Sequence, residues 1–231
     1  MAKHYIVTGA SRGIGYETAI YLAGTGCTVT AIARSGHKLE KLRQQGGECI
    51  KTLELDLTDD DSAGQIVKYL DSGQQKVDGL VNNAGILINK PFDETNERDW
   101  GSHIQLNLMA PVRIIRKLLP YFNSGSHILN ISSMGGFQGS SKFPGLTAYS
   151  VSKGALAILT ECLSEELKDQ QINCNCLCLG AVQTEMLEEA FPGFSAPVSS
   201  KEMGAYIGKF LAEGHRFYNG KILPVSMNNP S

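Results

Sequence analysis

Short apolar runs alternate along this chain with longer stretches in which apolar residues recur every three or four positions. The short runs are rich in β-branched residues, which is typical of buried strands, and the longer stretches have the periodicity of amphipathic helices. Seven strands are predicted, over residues 5–7, 28–33, 49–55, 79–81, 127–131, 173–179 and 221–225. Because strands that alternate with helices form a parallel sheet covered on both faces, we predict an α/β fold of doubly wound type.

The helical stretches lie between these strands. The first follows residues 5–7 and ends near Gly24 and Gly26, and others are predicted over 38–45, around 66–70, over 98–119 and over 148–167. Pro111 lies within the stretch 98–119 and predicts a bend or a break there. Since no linker, repeat or low-complexity segment interrupts the pattern, residues 1–231 are predicted to form one domain, with a Rossmann-like seven-stranded parallel sheet and helices on both faces.

Charge and cysteine content limit the possible partners. The net charge is −2 and no charge run is present, so we predict neither a nucleic-acid partner nor a membrane partner. No apolar segment has the form of a signal peptide or a membrane span, and the six cysteines are interpreted as reduced thiols of a cytoplasmic protein. Cys174, Cys176 and Cys178 alternate along a strand, which favours core packing over a zinc site, and no metal site is predicted.

A glycine-rich segment follows the first strand and precedes the first helix. Its glycines, Gly9, Gly13 and Gly15, have the spacing G-x-x-x-G-x-G, which differs from the common dinucleotide fingerprint. Backbone N–H groups and the positive end of a helix at such a turn are suited to binding a phosphate. An ordinary strand-to-helix turn is the alternative that the glycines alone leave open.

Tyr149 and Lys153 lie four positions apart in a predicted helix, so both side chains project from one face. An ammonium one turn away from a phenol favours the phenolate, and we therefore expect Lys153 to lower the pKa of Tyr149. This pair predicts acid–base chemistry, although a solvated surface pair is the alternative when the motif is considered alone.

Taken together, these motifs resemble those of the short-chain dehydrogenase/reductase family. They follow one another in the family's order and at nearly the family's spacing over almost the whole chain: residues 8–15, residues 82–85, Asn107, Ser133 and the pair Tyr149 and Lys153. The resemblance implies an oxidoreductase that binds a nicotinamide cofactor, reduces a small-molecule carbonyl or oxidises the corresponding alcohol, and forms a homodimer or homotetramer through its two long helices.

The resemblance also implies roles for individual residues. Tyr149 would be the general acid, Lys153 would bind the nicotinamide ribose, Ser133 would bind the substrate oxygen and Asn107 would hold a water in a proton relay. The implied cofactor-binding residues are Gly9, Ser11, Arg12, Gly13, Ile14, Gly15, Arg34, Asp56, Leu57, Asn83, Ala84, Gly85, Tyr149, Lys153, Val182 and Thr184.

The end of the second strand predicts which cofactor is used. An NAD site has a carboxylate at this point to bind the ribose 2′-hydroxyl, whereas this chain has Ala33 followed by Arg34. Arg34 and Arg12 would instead face a 2′-phosphate, so NADP(H) is predicted. Two arginines that point into water are the alternative interpretation.

Three departures from the family pattern affect the substrate side. The loop over 137–143 is longer than usual, the segment over 185–197 is short, and Leu179 precedes Gly180 where a proline is common. We expect a more open pocket that tolerates bulky carbonyl compounds. A different class of function, an inactive cofactor-binding sensor or interaction protein, is the alternative, and turnover of NADPH with a panel of carbonyl compounds would separate the two.

Overall fold

A seven-stranded parallel sheet forms the centre of the molecule in a computed structural model that describes residues 2–227. The strands are β1 (His4–Thr8), β2 (Thr28–Ala33), β3 (Ile50–Glu54), β4 (Val77–Asn82), β5 (Phe122–Ser133), β6 (Asn173–Leu179) and β9 (Ile222–Val225). Their order across the sheet is β3-β2-β1-β4-β5-β6-β9. All seven predicted strands and the doubly wound topology are confirmed, and β5 is much longer than the prediction because it continues through polar residues at both ends.

The chain changes direction across the sheet between β1 and β4. From β1 the sheet grows through β2 and β3 on one side, and from β4 it grows through β5, β6 and β9 on the other. β1 and β4 pair directly, with Val7 opposite Val81. A crevice opens where two neighbouring strands send their connections to opposite faces, so the ends of β1 and β4 define the expected ligand site.

Helices cover both faces of the sheet. They are α1 (Gly13–Gly24), α2 (Gly36–Gly46), α3 (Ser62–Ser72), α4 (Glu97–Ile104), α5 (Ala110–Leu118), α6 (Thr147–Glu166), α7 (Glu185–Ala190) and α8 (Ser200–Glu213). Side chains alternate along each strand, so Val7 packs in the core beneath α1, α2 and α8, and Ile6 packs in the core beneath α3, α5 and α6. Cys174, Cys176 and Cys178 are buried in the core as predicted.

The predicted helix over 98–119 is interrupted. Its centre is a π-helical turn, Gln105–Met109, and Pro111 lies in the first turn of α5. A proline has no N–H to donate to the carbonyl four residues earlier, so the hydrogen-bond ladder changes at this point. The irregularity expected from Pro111, a bend or a break, is found as this π-helical turn, and Asn107 lies inside it.

Three features near the C-terminus were not predicted from the sequence: a small two-stranded sheet, α7 and α8. The small sheet joins β7 (Val182–Gln183) to β8 (Val198–Ser199), with α7 between these strands and α8 after them. α8 packs closely on α1, because a Cβ at Gly204 would lie 2.5 Å from Glu17 Cβ and one at Gly208 would lie 2.5 Å from Tyr21 Cδ1. Between residues 2 and 227, no helix combines the length and the apolar character that crossing a bilayer requires.

Candidate active site

The loops that follow β1 and β4 are hydrogen-bonded to each other at the crevice. Thr8 Oγ1 accepts from the backbone N–H groups of Asn83 at 3.0 Å and Ala84 at 3.1 Å. In return, Asn83 Nδ2 donates to the carbonyls of Thr8 at 3.0 Å and Gly9 at 3.3 Å. These bonds fix the glycine loop and the 82–85 turn as one rigid unit.

This close approach explains two of the glycines. A Cβ at Gly9 would lie 2.8 Å from Ala84 Cα, and the residue has a φ of +68°. A Cβ at Gly15 would lie 2.5 Å from Asn83 Nδ2. Both positions therefore require glycine for packing between the two loops, and α1 begins at Gly13 with its N-terminus at the same crevice.

Basic side chains lie at the end of β2 and in the glycine loop, and both predicted arginines already have acidic partners. Arg12 Nη1 contacts Glu185 Oε2 at 2.7 Å and Glu189 Oε1 at 2.8 Å, both on α7. Arg34 Nη1 lies 3.8 Å from Asp56 Oδ2 and is largely exposed. The two glutamates were not recognised from the sequence, since nothing in the local pattern of α7 indicates that it folds back onto the glycine loop.

Tyr149 and Lys153 project from the first turns of α6 toward the end of β5. Lys153 is 4% exposed, and its Nζ donates to the Ile131 carbonyl at 2.8 Å and lies 6.0 Å from the centroid of the Tyr149 ring. Burial lowers the pKa of Lys153 from 10.5 to about 8. Lys153 is thus buried and Tyr149 is partly exposed where it lines the cavity, so the alternative of a solvated surface pair is wrong.

Burial also determines the protonation of Tyr149. It raises the pKa of the phenol, and a hydrogen bond with Ser133 acts in the opposite direction without cancelling it. The expectation that Lys153 would bring this pKa below its usual value is therefore wrong for this structure. The physical reason is that removing the phenolate from water raises the pKa of Tyr149 more than the hydrogen bond with Ser133 lowers it.

Asn107 lies behind the 82–85 turn and has little hydrogen-bonding capacity left. Its Nδ2 donates to the Ile86 carbonyl at 3.0 Å and to Ser152 Oγ at 2.9 Å, and its Oδ1 accepts from Ile86 N at 2.8 Å. Both amide hydrogens are engaged, so the side chain would bind a water only as an acceptor. Gly85 separates it from Lys153, since a Cβ there would lie 3.2 Å from Asn107 Oδ1 and 3.4 Å from Lys153 Nζ.

His103 supports the site from behind Tyr149 and was not recognised from the sequence. Its Nε2 accepts from Ile88 N at 3.2 Å, which requires the proton on Nδ1, where it donates to the Asp99 carbonyl at 2.8 Å. Burial lowers the pKa of His103, so the ring is neutral and meets Tyr149 edge-on with centroids 6.2 Å apart. Its spacing from other residues carries no signal of this role.

A cavity of about 1690 Å³ runs from the end of β2, across the glycine loop, to Tyr149. All of the predicted site residues line it except Gly15 and Asn107, which lie behind the glycine loop and the 82–85 turn. Gly9 and Gly13 of the glycine loop line this cavity, and α1 begins at Gly13, so backbone N–H groups at a helix N-terminus are available to a phosphate. Among residues 2–227, no group of three or more His, Cys, Asp or Glu side chains is arranged to hold a metal ion.

Comparisons with known proteins agree with this architecture. A family model described as short chain dehydrogenase matches residues 3–193. The chain is 34% identical to a fatty acyl-CoA reductase of Acinetobacter baylyi over 80% of its length, a match that spans 64% of that protein. It is 31% identical to a 3-oxoacyl-(acyl-carrier-protein) reductase of Thermotoga maritima, over 81% of this chain and 77% of that protein.

Solved structures share the whole fold. A 3-ketoacyl-(acyl-carrier-protein) reductase from Brucella melitensis, complexed with NADH, superposes with a TM-score of 0.90 at 23% identity, over 99% of this chain and 98% of its own. A dehydrogenase/reductase from Sinorhizobium meliloti superposes with a TM-score of 0.87 at 26% identity, over 100% and 96%. The fold is thus that of the doubly wound nicotinamide-binding oxidoreductases. The family match shows the narrower class: this chain belongs to the short-chain dehydrogenase/reductase family.

Proposed function

We propose that this protein is an NADP(H)-dependent carbonyl reductase, or in the reverse direction an alcohol dehydrogenase, that acts on a small molecule with the tetrad Asn107, Ser133, Tyr149 and Lys153. The observation that supports this proposal is that Ser133, Tyr149 and the buried Lys153 line one cavity together with the glycine loop. Ser133 and Tyr149 are hydrogen-bonded and only partly exposed, so a hydroxyl, a phenol and an amine meet in one site.

The protonation of Tyr149 supports carbonyl reduction. Its pKa is raised by burial, so the phenol keeps its proton at neutral pH and is ready to donate it. Ser133 would donate a second hydrogen bond to the same oxygen and stabilise the negative charge that develops there. The nicotinamide cofactor would supply the hydride, and Gly9, Gly13 and the N-terminus of α1 would hold its pyrophosphate.

The protein's own groups would then restore the proton on Tyr149. Lys153 has a pKa of about 8, which makes its amine able both to release and to accept a proton near neutral pH. Asn107 Oδ1 has capacity left for one donor, so it would hold a water near Lys153 across Gly85.

The Tyr149→Phe variant tests the proposed reductase activity. It should lose NADPH oxidation and retain cofactor binding. An inactive sensor would bind NADPH and oxidise none of it with any carbonyl compound.

The choice of NADP over NAD is supported by charge at the end of β2. Ala33 provides no carboxylate, and Arg34 and Lys38 line the cavity nearby. Arg12 contacts Glu185 and Glu189, so its use by a 2′-phosphate requires exchange of these carboxylates for the phosphate. Arg34 alone would give a preference for NADPH on the order of ten- to a hundredfold.

The corresponding experiment compares kcat/KM for NADPH and NADH. Wild type should favour NADPH, and Ala33→Asp with Arg34→Ala should move the preference toward NADH. Arg43→Ala is the matched control, because Arg43 lies on α2 and pairs with Glu40 outside the cavity. Equal kcat/KM values for NADPH and NADH in wild type would refute a role of Arg34 in binding the 2′-phosphate.

We also infer a symmetric homodimer or homotetramer in the cytoplasm. α5 and α6 share an apolar groove of about 210 Å³ that includes Val112, Leu159 and Leu163, and Ile158 beside it is 59% exposed. Apolar surface of this kind is commonly covered by a second copy across a two-fold axis. A monomer mass by light scattering at micromolar concentration would contradict the assembly.

A further inference from the structure

Three segments that line the cavity together with Tyr149 are hydrogen-bonded to one another. The backbone N–H of Lys90 donates to the Gly145 carbonyl at 2.9 Å, which joins the loop after β4 to the loop before α6. Asn89 Nδ2 donates to the Ala190 carbonyl at 3.0 Å, which joins the same loop to the end of α7. This wall of the cavity is therefore held together by hydrogen bonds rather than left open by the short segment over 185–197.

The side chains that these segments present to the cavity are apolar. They are Leu87, Phe143, Leu146, Met186, Phe191 and Phe194. Phe143 and Phe194 are 46% and 50% exposed, which is unusual for phenylalanine and leaves their rings available to a ligand. Phe143 comes from the lengthened loop, so this loop supplies part of the wall as the sequence suggested.

The charged side chains of the cavity already have partners. Among the described residues that line it, Arg12 and Lys38 pair with Glu185, and Arg34 pairs with Asp56. Lys153 is 4% exposed and donates to the Ile131 carbonyl. The lysines closest in sequence to the apolar wall are engaged elsewhere: Lys90 pairs with Asp99 at 3.0 Å, and Lys142 donates to the Phe137 carbonyl at 2.6 Å. An anionic substrate group would thus enter an apolar wall without a cation to receive it, which is unfavourable.

We propose that the substrate is an uncharged carbonyl compound with a hydrocarbon body of ring size or larger, bound by this apolar wall with its carbonyl oxygen at Ser133 and Tyr149. This inference rests on the proposed function for the reaction, but binding of the substrate to the apolar wall can be measured without turnover. The apolar wall should bind keto acids, and carbonyl compounds that carry a phosphate, more weakly than uncharged carbonyl compounds.

Three matched ligands test whether a negative charge on the substrate weakens its reduction. We would compare 4-(3-oxobutyl)benzoate with its methyl ester and with 4-phenylbutan-2-one, which share one carbon skeleton around the ketone. Wild type with NADPH should reduce the ester and the unsubstituted ketone with kcat/KM at least about tenfold above that of the carboxylate. Equal or faster reduction of the carboxylate would overturn the inference and leave the reductase function standing.

Variants of the wall test the location. Phe191→Ala and Phe194→Ala should raise KM for 4-phenylbutan-2-one by about tenfold or more and leave the Kd of NADPH unchanged. Phe217→Ala is the control, because Phe217 is 76% exposed and lies outside the cavity. Unchanged KM in both wall variants would overturn the assignment of the wall.

Binding separates this inference from the proposed function. Calorimetry of the Tyr149→Phe protein with NADPH measures the Kd of the same three compounds without chemistry. A weaker Kd for the carboxylate, and a further loss in Phe191→Ala, would support the apolar site even if wild type reduced none of them, a result that would refute the reductase alone. Equal Kd values for all three compounds would refute the apolar site.

Discussion

Lys153 should destabilise the folded protein, and replacing it by methionine should reveal the cost. The side chain is 4% exposed and burial lowers its pKa from 10.5 to about 8. A change of this size corresponds to about 3 kcal/mol against the buried ammonium. Methionine has a similar length and no charge, so Lys153→Met removes that cost and also loses the hydrogen bond to Ile131, which contributes roughly 1.5 kcal/mol.

Because the cost of the buried ammonium exceeds the contribution of the lost hydrogen bond, Lys153→Met should gain stability, by an amount that depends on pH. The folded pKa is lower than the unfolded one, so below about pH 8 both states are protonated and the full cost is present. Between about pH 8 and 10.5 the folded protein releases the proton first, and the stability of wild type rises with pH. Lys153→Met should therefore be more stable than wild type by about 1–2 kcal/mol at pH 7, and the difference should fall to about zero at pH 9.5.

Urea unfolding at the two pH values measures this difference, with NADPH absent so that binding does not contribute. Lys41→Met is the control, since Lys41 is exposed on α2 and its replacement should leave stability nearly unchanged at both pH values. The variant should lose carbonyl reduction while it gains stability, which is the pattern expected of a residue kept for chemistry. A loss of stability at pH 7, or a difference that does not change with pH, would refute the reasoning.

Two further outcomes follow from the site. Tyr149→Phe should lower kcat by roughly 10² to 10⁴ while the Kd of NADPH, followed by fluorescence titration, stays within a few-fold of wild type; retained turnover would refute the assignment of Tyr149 as the acid. Gly15→Ala should lower the free energy of unfolding by about 1–3 kcal/mol, because its Cβ would lie 2.5 Å from Asn83 Nδ2. Gly24→Ala in the same helix, with nothing within 4 Å of the added Cβ, is the control and should be neutral or slightly stabilising. If the two alanine variants unfold alike in urea, the close approach of the glycine loop to the 82–85 turn is absent.

Much of the fold follows from local patterns in the chain. Apolar runs at strand length and helical periodicity between them were enough to predict all seven strands of the sheet, because the central strands are buried on both faces and carry a nearly continuous apolar signal. The position of Pro111 was enough to predict an irregularity in the long helical stretch, which is the π-helical turn before α5. The glycine loop and the pair Tyr149 and Lys153 were visible for the same reason, since their spacing within one turn or one loop already determines their geometry.

Contacts between distant segments decided the rest. The sequence supplied Tyr149 and Lys153 on one helical face, but only the packing of α6 against β5 buried Lys153 and removed Tyr149 partly from water. This desolvation reversed the expected direction of the Tyr149 pKa. The pairing of Arg12 with Glu185 and Glu189 joins residues more than 170 positions apart, a contact that no local pattern carries. The apolar wall of the cavity is assembled from three separate loops in the same way. Spacing along the chain determines which groups an element presents, whereas their solvent exposure and their partners depend on which other elements pack against it.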